Sequence, residues 1–172
     1  MGYTVLLTGR PGVGKTTIVK EIVRRLPGRA NGFYTAEIRH GGRRQGFRII
    51  TLDGEEAILA HVDIRSPHRV SKYGVDVEAL DSVGVAALRR AMDQADYVVI
   101  DEIGKMELCS NQFKQAVREA IAGEHPVLGT IMLSSHPWAD AIKANEQVRV
   151  IDVTPKNRDR LVEQVLRLFK DV

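Results

Sequence analysis

Eight consecutive residues near the start of the chain, Gly9-Arg10-Pro11-Gly12-Val13-Gly14-Lys15-Thr16, fit the pattern G-x-x-x-x-G-K-[ST] in full. Each part matches a need of a phosphate site. Glycines let successive backbone N–H groups turn inward as a cradle, and a helix beginning at the loop's end aims its positive pole at the same charge. Lys15 carries an ammonium to the β- and γ-phosphates, and the Thr16 hydroxyl is a ligand for Mg²⁺. Thr17, next along, is counted with the nucleotide-contacting residues. Composition alone yields such a match in roughly one chain of this length in 150–200. A strand before the loop and a helix after it, as the mechanism demands, make it a nucleotide site.

Magnesium beside a triphosphate also needs a carboxylate at the end of a neighbouring strand. The apolar run Tyr97-Val98-Val99-Ile100 ends in Asp101, which takes that role, and Glu102 follows it. A carboxylate there takes or orients the proton of a water attacking the γ-phosphate. The expected metal ligands are therefore Thr16 and Asp101, and the expected catalytic residues Lys15 and Glu102. Ser134 and Ser135, at the end of a later apolar run, are weaker candidates for sensing the γ-phosphate. Arg158 and Arg160 read first as solvated residues of the last helix, and second as contacts to base or transition-state charge. Cys109 receives no redox role.

These residues need a frame that brings loop and carboxylates together. Thr4-Val5-Leu6-Leu7-Thr8 is a short apolar run before the glycines, a buried strand. Ile18, Val19, Ile22, Val23 and Leu26 recur at helical spacing, and Pro27-Gly28 ends that helix. The runs 32–39 and 45–52 flank His40-Gly41-Gly42-Arg43, whose glycine pair suits a tight antiparallel turn. Asp53-Gly54 leads to a third short strand at about 57–61. Residues 62–78 read as a loop with a turn at Lys72-Tyr73-Gly74. Leu80, Val83, Ala87, Leu88, Ala91 and Met92 predict a second helix, and Phe113, Val117 and Ile121 another over 110–122. Apolar strands follow at 97–100, 126–133 and 148–153, with a short helix after Pro137. Thr154-Pro155 predicts a cap and first-turn proline for the closing helix, which buries Leu161, Val162, Val165, Leu166 and Phe169. The alternation implies an α/β fold: a mostly parallel sheet with helices on both faces, and an antiparallel hairpin insertion at its edge over 32–61.

A chain of 172 residues without linker, repeat or low-complexity tract reads as one domain over 1–172. Its 44% hydrophobic and 27% charged residues exclude disordered and collagen-like classes. No apolar run approaches the ~18 residues of a membrane span. The N-terminus lacks the plan of a secretory signal, and Gly2 does not open a myristoylation motif. One cysteine allows neither an internal disulfide nor a cysteine-based metal site, so a cytoplasmic protein is expected. The net charge of +3 suits an anionic ligand, but 5% aromatic residues are few for stacking bases along a strand. Nucleic acid is thus the minority expectation for a partner, behind a solvated basic surface.

The segment Asp101-Glu102-Ile103-Gly104-Lys105-Met106-Glu107-Leu108 resembles a family of small P-loop nucleoside triphosphatases known from hyperthermophiles, with a human member called cancer-related nucleoside-triphosphatase. Gly32-Phe33-Tyr34-Thr35-Ala36-Glu37 with Arg43 to Phe47, Tyr73-Gly74-Val75, and Val153-Thr154-Pro155 with Asn157-Arg158-Asp159 extend the resemblance over nearly the whole chain. It implies slow, magnesium-dependent hydrolysis of several nucleoside triphosphates, ATP and GTP among them, to the diphosphate and phosphate on a RecA-like core. It also implies that the 9–16 loop and the 98–107 segment line the nucleotide site, which brings in Ile103, Gly104 and Lys105. Two alternatives stand beside it. A nucleoside or nucleotide kinase shares the loop, the magnesium and the size, but needs an acceptor pocket and an arginine-bearing lid, for which Arg39, Arg43, Arg44 and Arg48 are the only candidates. A nucleotide-gated nucleic-acid binder would use the same arginines. Glu102 beside Asp101 favours water as the acceptor.

Overall fold

The computed structural model describes residues 2–171. In chain order its elements are β1 (Thr4–Thr8), α1 (Lys15–Arg25), β2 (Ala30–His40), β3 (Arg43–Thr51), β4 (Glu56–His61), β5 (Arg69–Val70), β6 (Tyr73–Val75), α2 (Val77–Ala79), α3 (Ala86–Gln94), β7 (Tyr97–Ile103), α4 (Asn111–Ala122), β8 (Val127–Ile131), α5 (Pro137–Lys143), β9 (Val148–Asp152) and α6 (Arg158–Lys170). The strands form one sheet in the order β5-β6-β4-β3-β2-β7-β8-β1-β9. Neighbours from β2 through β7, β8 and β1 to β9 run parallel. From β2 outward, β3, β4, β6 and β5 pair antiparallel. The sheet is therefore mixed, its parallel half carrying the loop and its antiparallel half built from the hairpin insertion.

Period-two alternation divides the apolar residues between two cores. On β7, Val98 and Ile100 enter one core and Val99 the other; on β1, Leu6 is set against Val5 and Leu7 in the same way. The first core takes in Leu88 of α3 with Phe113 and Val117 of α4. The second takes in Ile18 and Ile22 of α1 with Leu161 and Val165 of α6. Helices thus cover both faces, as expected of an α/β fold with parallel strands.

Several local expectations are corrected. Residues 62–78 are not an unstructured loop: they hold β5 and β6, paired through Ser71 and Lys72, so Tyr73 and Gly74 are strand rather than turn. Strands of two and three residues are too short to show alternation. The second helix begins at Val77, capped by Asp76, whose carboxylate accepts from the N–H of Ala79 at 2.9 Å, and passes through a π-helical stretch, Leu80–Val85, before α3. The run at 126–133 leaves the sheet at Ile131, whereas β7 continues past Asp101 to Ile103. Thr154 and Pro155 do not start the last helix, which begins at Arg158. The Thr154 N–H donates to Asn157 Oδ1 at 2.8 Å, and Asn157 Nδ2 donates to the Asp152 carbonyl at 2.7 Å. These bonds close a turn out of the residues that would have formed the cap. No helix of the described residues is long and apolar enough to cross a membrane.

Candidate active site

β1 delivers the loop 9–14 to the N-terminus of α1, and the helix start is left open. Gly14 holds φ 107 and ψ 20 ahead of the first turn, a left-handed conformation that glycine adopts without steric cost. No side chain caps α1 and no acidic residue occupies its first turn, so its free N–H groups and positive pole face the loop. Lys15 is half-buried and folds back over that loop, its Nζ donating to the carbonyl oxygen of Gly9. The ammonium is thereby held across the mouth of the anion cradle.

Asp101 sits deeper. β7 and β1 are not neighbours, because β8 runs between them. The strand in the middle contributes to the site: Thr130 of β8 donates its hydroxyl to Asp101 Oδ1 at 2.6 Å, while Thr16 of α1 donates to Oδ2 at 2.7 Å. Asp101 is only 2% exposed. Burial pushes its carboxyl above the ordinary range, against the two hydroxyl bonds and the charge of Lys15. A hydroxyl and a carboxylate already in contact are hard oxygen donors of the kind magnesium takes alongside water and substrate phosphates, and a cation there would offset the buried negative charge. The residues fit that ion.

Glu102 is pushed up by burial and then by Asp101, with Lys15 opposing. Its carboxylate lies over Gly104: a Cβ at that position would stand 2.7 Å from Glu102 Oε1 and 3.2 Å from Cδ. Gly104→Ala should therefore displace the carboxylate and leave the backbone in place. The expected outcome is a kcat reduced about 10- to 100-fold with little change in Tm, since small misplacements of a reacting group are costly. Hydrolysis rates beside a thermal melt check it, and an unchanged kcat would mean that Glu102 does not act from its present position.

Three cavities adjoin the loop. One, of about 460 Å³, is bounded by Gly12, Gly14, Lys15, Thr16, Thr17, Asp101 and Glu102, with Arg44 across from them. A second, of about 490 Å³, shares Lys15 and Glu102 and extends under the insertion to Phe47, Leu59 and Val70, with Lys105 and Ser134 also on its wall. The third is a groove of about 700 Å³ along Gly9, Arg10 and Val13 to Val153, Pro155 and Arg158. Lys15, Thr16, Thr17, Asp101 and Glu102 are therefore brought together. Arg158 lines the groove, while Arg160 is exposed and lines none of the three. Ile103 points elsewhere: its side chain is wholly buried in the first core, opposite Ile131. Ser135 is committed to Asp140 Oδ2 at 2.5 Å.

One residue escaped the sequence reading, and another was given no role by name. Thr130 is a lone hydroxyl in an apolar strand, a signal that was there to be used. Glu107 lines the second cavity at 4% exposure, its carboxyl held well above the usual range by burial and by Glu102. Glu107 falls within the 98–107 segment that the family resemblance placed along the site, but its burial was not read from the chain.

The hairpin arginines separate. Arg39 pairs with Glu37 at 2.8 Å and Arg48 with Glu56 at 3.6 Å, while Arg43 is exposed at the turn. Arg44 alone turns to the loop cavity, held by the Tyr73 hydroxyl at 3.0 Å and by Glu37 at 3.2 Å, over the ring of Phe47. Exposed ion pairs contribute little. Arg39→Ala and Arg48→Ala should each leave kcat within about twofold, whereas Arg44→Ala should lower kcat/KM about tenfold by removing a cation that lines the loop cavity. Steady-state kinetics of the three single variants test this, and a tenfold loss in either solvated pair would overturn the separation.

A family model described as NTPase matches residues 4–166. The nucleoside-triphosphatase THEP1 of Thermotoga maritima is 47% identical over 166 residues, covering 96% of this chain and 95% of its own. The crystal structure of THEP1 from the hyperthermophile Aquifex aeolicus superposes with a TM-score of 0.89 at 39% identity, covering 97% of this chain and 99% of that one. The solution structure of a human cancer-related nucleoside triphosphatase gives a TM-score of 0.80 at 35% identity, with 99% and 98% covered.

Proposed function

The chain belongs to this NTPase family, and from that premise we propose that it hydrolyses nucleoside triphosphates, ATP and GTP among them, to the diphosphate and phosphate with Mg²⁺. The observation that carries the reading is the pair of hydroxyls, Thr16 and Thr130, converging on buried Asp101 at the point where Lys15 and Glu102 face one cavity. Thr16 and Asp101 would hold the magnesium, which when bound supplies neutralising charge at the phosphate oxygens. Loop amides from Gly9 to Gly14 and the open end of α1 bind the phosphate chain. Lys15 leaves the Gly9 carbonyl for the β- and γ-phosphates. Glu102 orients the attacking water and accepts its proton as the water oxygen bonds to phosphorus and the bridge to the diphosphate breaks.

Lys15 and Glu102 set the γ-phosphate end, so the nucleoside runs the other way, into the groove of Val13, Val153, Pro155 and Arg158. Val13, Val153 and Pro155 offer a base of any kind an apolar surface, with Asp152, Thr154 and Arg158 as the polar groups beside it. A cytoplasmic site of action, consistent with the single cysteine, is part of the same proposal. The test is a product assay across the ribo- and deoxynucleoside triphosphates with and without magnesium. Diphosphate and inorganic phosphate in equal amounts are expected, and no release with any of them would reject the activity.

A further inference from the structure

The cavity of about 490 Å³ between the loop and the insertion is larger than hydrolysis requires. A water takes roughly 30 Å³, whereas small-molecule sites span about 300–1,000 Å³, with apolar walls and a few placed polar groups. This cavity is built in that way. Phe47 of β3, Leu59 of β4, Val70 of β5 and Met132 beyond β8 supply its apolar lining, and Lys105, Glu107 and Ser134 are polar residues on it. Lys15 and Glu102 close its inner end and are shared with the phosphate cavity. The groove proposed above for the nucleoside meets this cavity at Gly9, Pro11 and Leu133 but is lined by neither Lys15 nor Glu102. An occupant of the apolar cavity therefore faces the γ-phosphate itself.

We propose that this cavity is an acceptor pocket for a compact alcohol with an apolar body, and that the chain transfers the γ-phosphoryl group of a nucleoside triphosphate to that hydroxyl. The inference rests on the triphosphatase reading and deepens it: water is the acceptor when the pocket is empty. In the transfer, the alcohol oxygen bonds to the γ-phosphorus and its proton passes to the Glu102 carboxylate. The bond from phosphorus to the bridging oxygen breaks, and its electron pair leaves with the diphosphate. The products are a phosphate monoester and a nucleoside diphosphate. The antiparallel half of the sheet then has a chemical purpose, since β3 and β4 of the insertion and β5 beyond it supply side chains that line the acceptor's cavity beside the reacting phosphorus.

The experiment incubates the protein with magnesium and ATP labelled at the γ-phosphate, in the presence of benzyl alcohol, phenylethanol, pyridinemethanol or hexanol, with adenosine and uridine as polar acceptors. Labelled monoester and labelled inorganic phosphate are separated and counted. Ester from at least one apolar alcohol is expected. Val70→Trp, which fills the pocket from a half-buried edge position, should cut ester formation at least about tenfold while phosphate release stays within about twofold. Val70→Phe takes its place if the tryptophan variant does not fold. Normal phosphate release with no ester from any alcohol, ester from the nucleosides alone, or ester undiminished by the filled pocket would each overturn the proposal. Absence of both ester and phosphate would instead reject the triphosphatase reading on which it rests.

Discussion

Lys15→Ala is expected to abolish turnover, with kcat falling by roughly 10³-fold or more, because it deletes the loop's own ammonium, the cation proposed to stabilise the β- and γ-phosphates. The geometry makes this a clean deletion. Lys15 is the first residue of α1, where alanine is a good helix former, so the helix itself is not weakened. The side chain's hydrogen bonds go to the carbonyls of Gly9 and Arg10, exchangeable acceptors at the loop mouth. Neither Asp101 nor its two hydroxyl partners depends on Lys15 for position. Stability should therefore move little while catalysis is lost. Steady-state phosphate release and a thermal melt on the same preparation separate the two effects. Retention of most of the activity would mean that the loop is not where the triphosphate reacts.

The loop could be read from the chain because everything it needs is contiguous: a strand, eight residues and a helix, each with its own local signal. The cores were legible for a related reason, since alternation along β1 and β7 assigns each residue to a face without reference to any neighbour. What escaped depends on partners far apart in the chain. Nothing in 97–103 says that β8 will lie between β7 and β1, so Thr130 went unnoticed although it sits as close to Asp101 as Thr16 does. Ile103 shows how the local rule fails. Strict alternation would put it on the face of Asp101, but the register of β7 against β8 shifts between Ile100 and Ile103, and the side chain turns into the opposite core. The hairpin over 32–61 was visible, but β5 and β6 read as loop, and the cavity that β5 helps to line was not seen. Phe47, Leu59 and Val70 lie on three different strands that meet the loop only in the folded sheet.

Glu102→Gln tests the chemistry most directly. The amide keeps the size and the hydrogen bonding of the side chain but removes the group that takes the water's proton. In the proposed mechanism, contacts to the ground-state phosphates come from the loop amides, Lys15 and the open end of α1, and none of these changes. The loss should therefore appear in the transition state alone. General-base contributions run to roughly 10²–10⁴-fold, or about 3–5 kcal/mol of barrier. A kcat reduced within that range is expected, with nucleotide affinity shifted less than about threefold. Asp101→Asn should differ in kind. Asp101 is buried between Thr16 and Thr130, so losing its charge weakens magnesium-dependent binding as well as rate. Single-turnover hydrolysis beside equilibrium binding of a non-hydrolysable analogue distinguishes the two variants. A Glu102→Gln protein that turns over at the wild-type rate would place the proton acceptor elsewhere. Glu107, a buried carboxyl lining the cavity that Glu102 also lines, would then be the next carboxylate to replace.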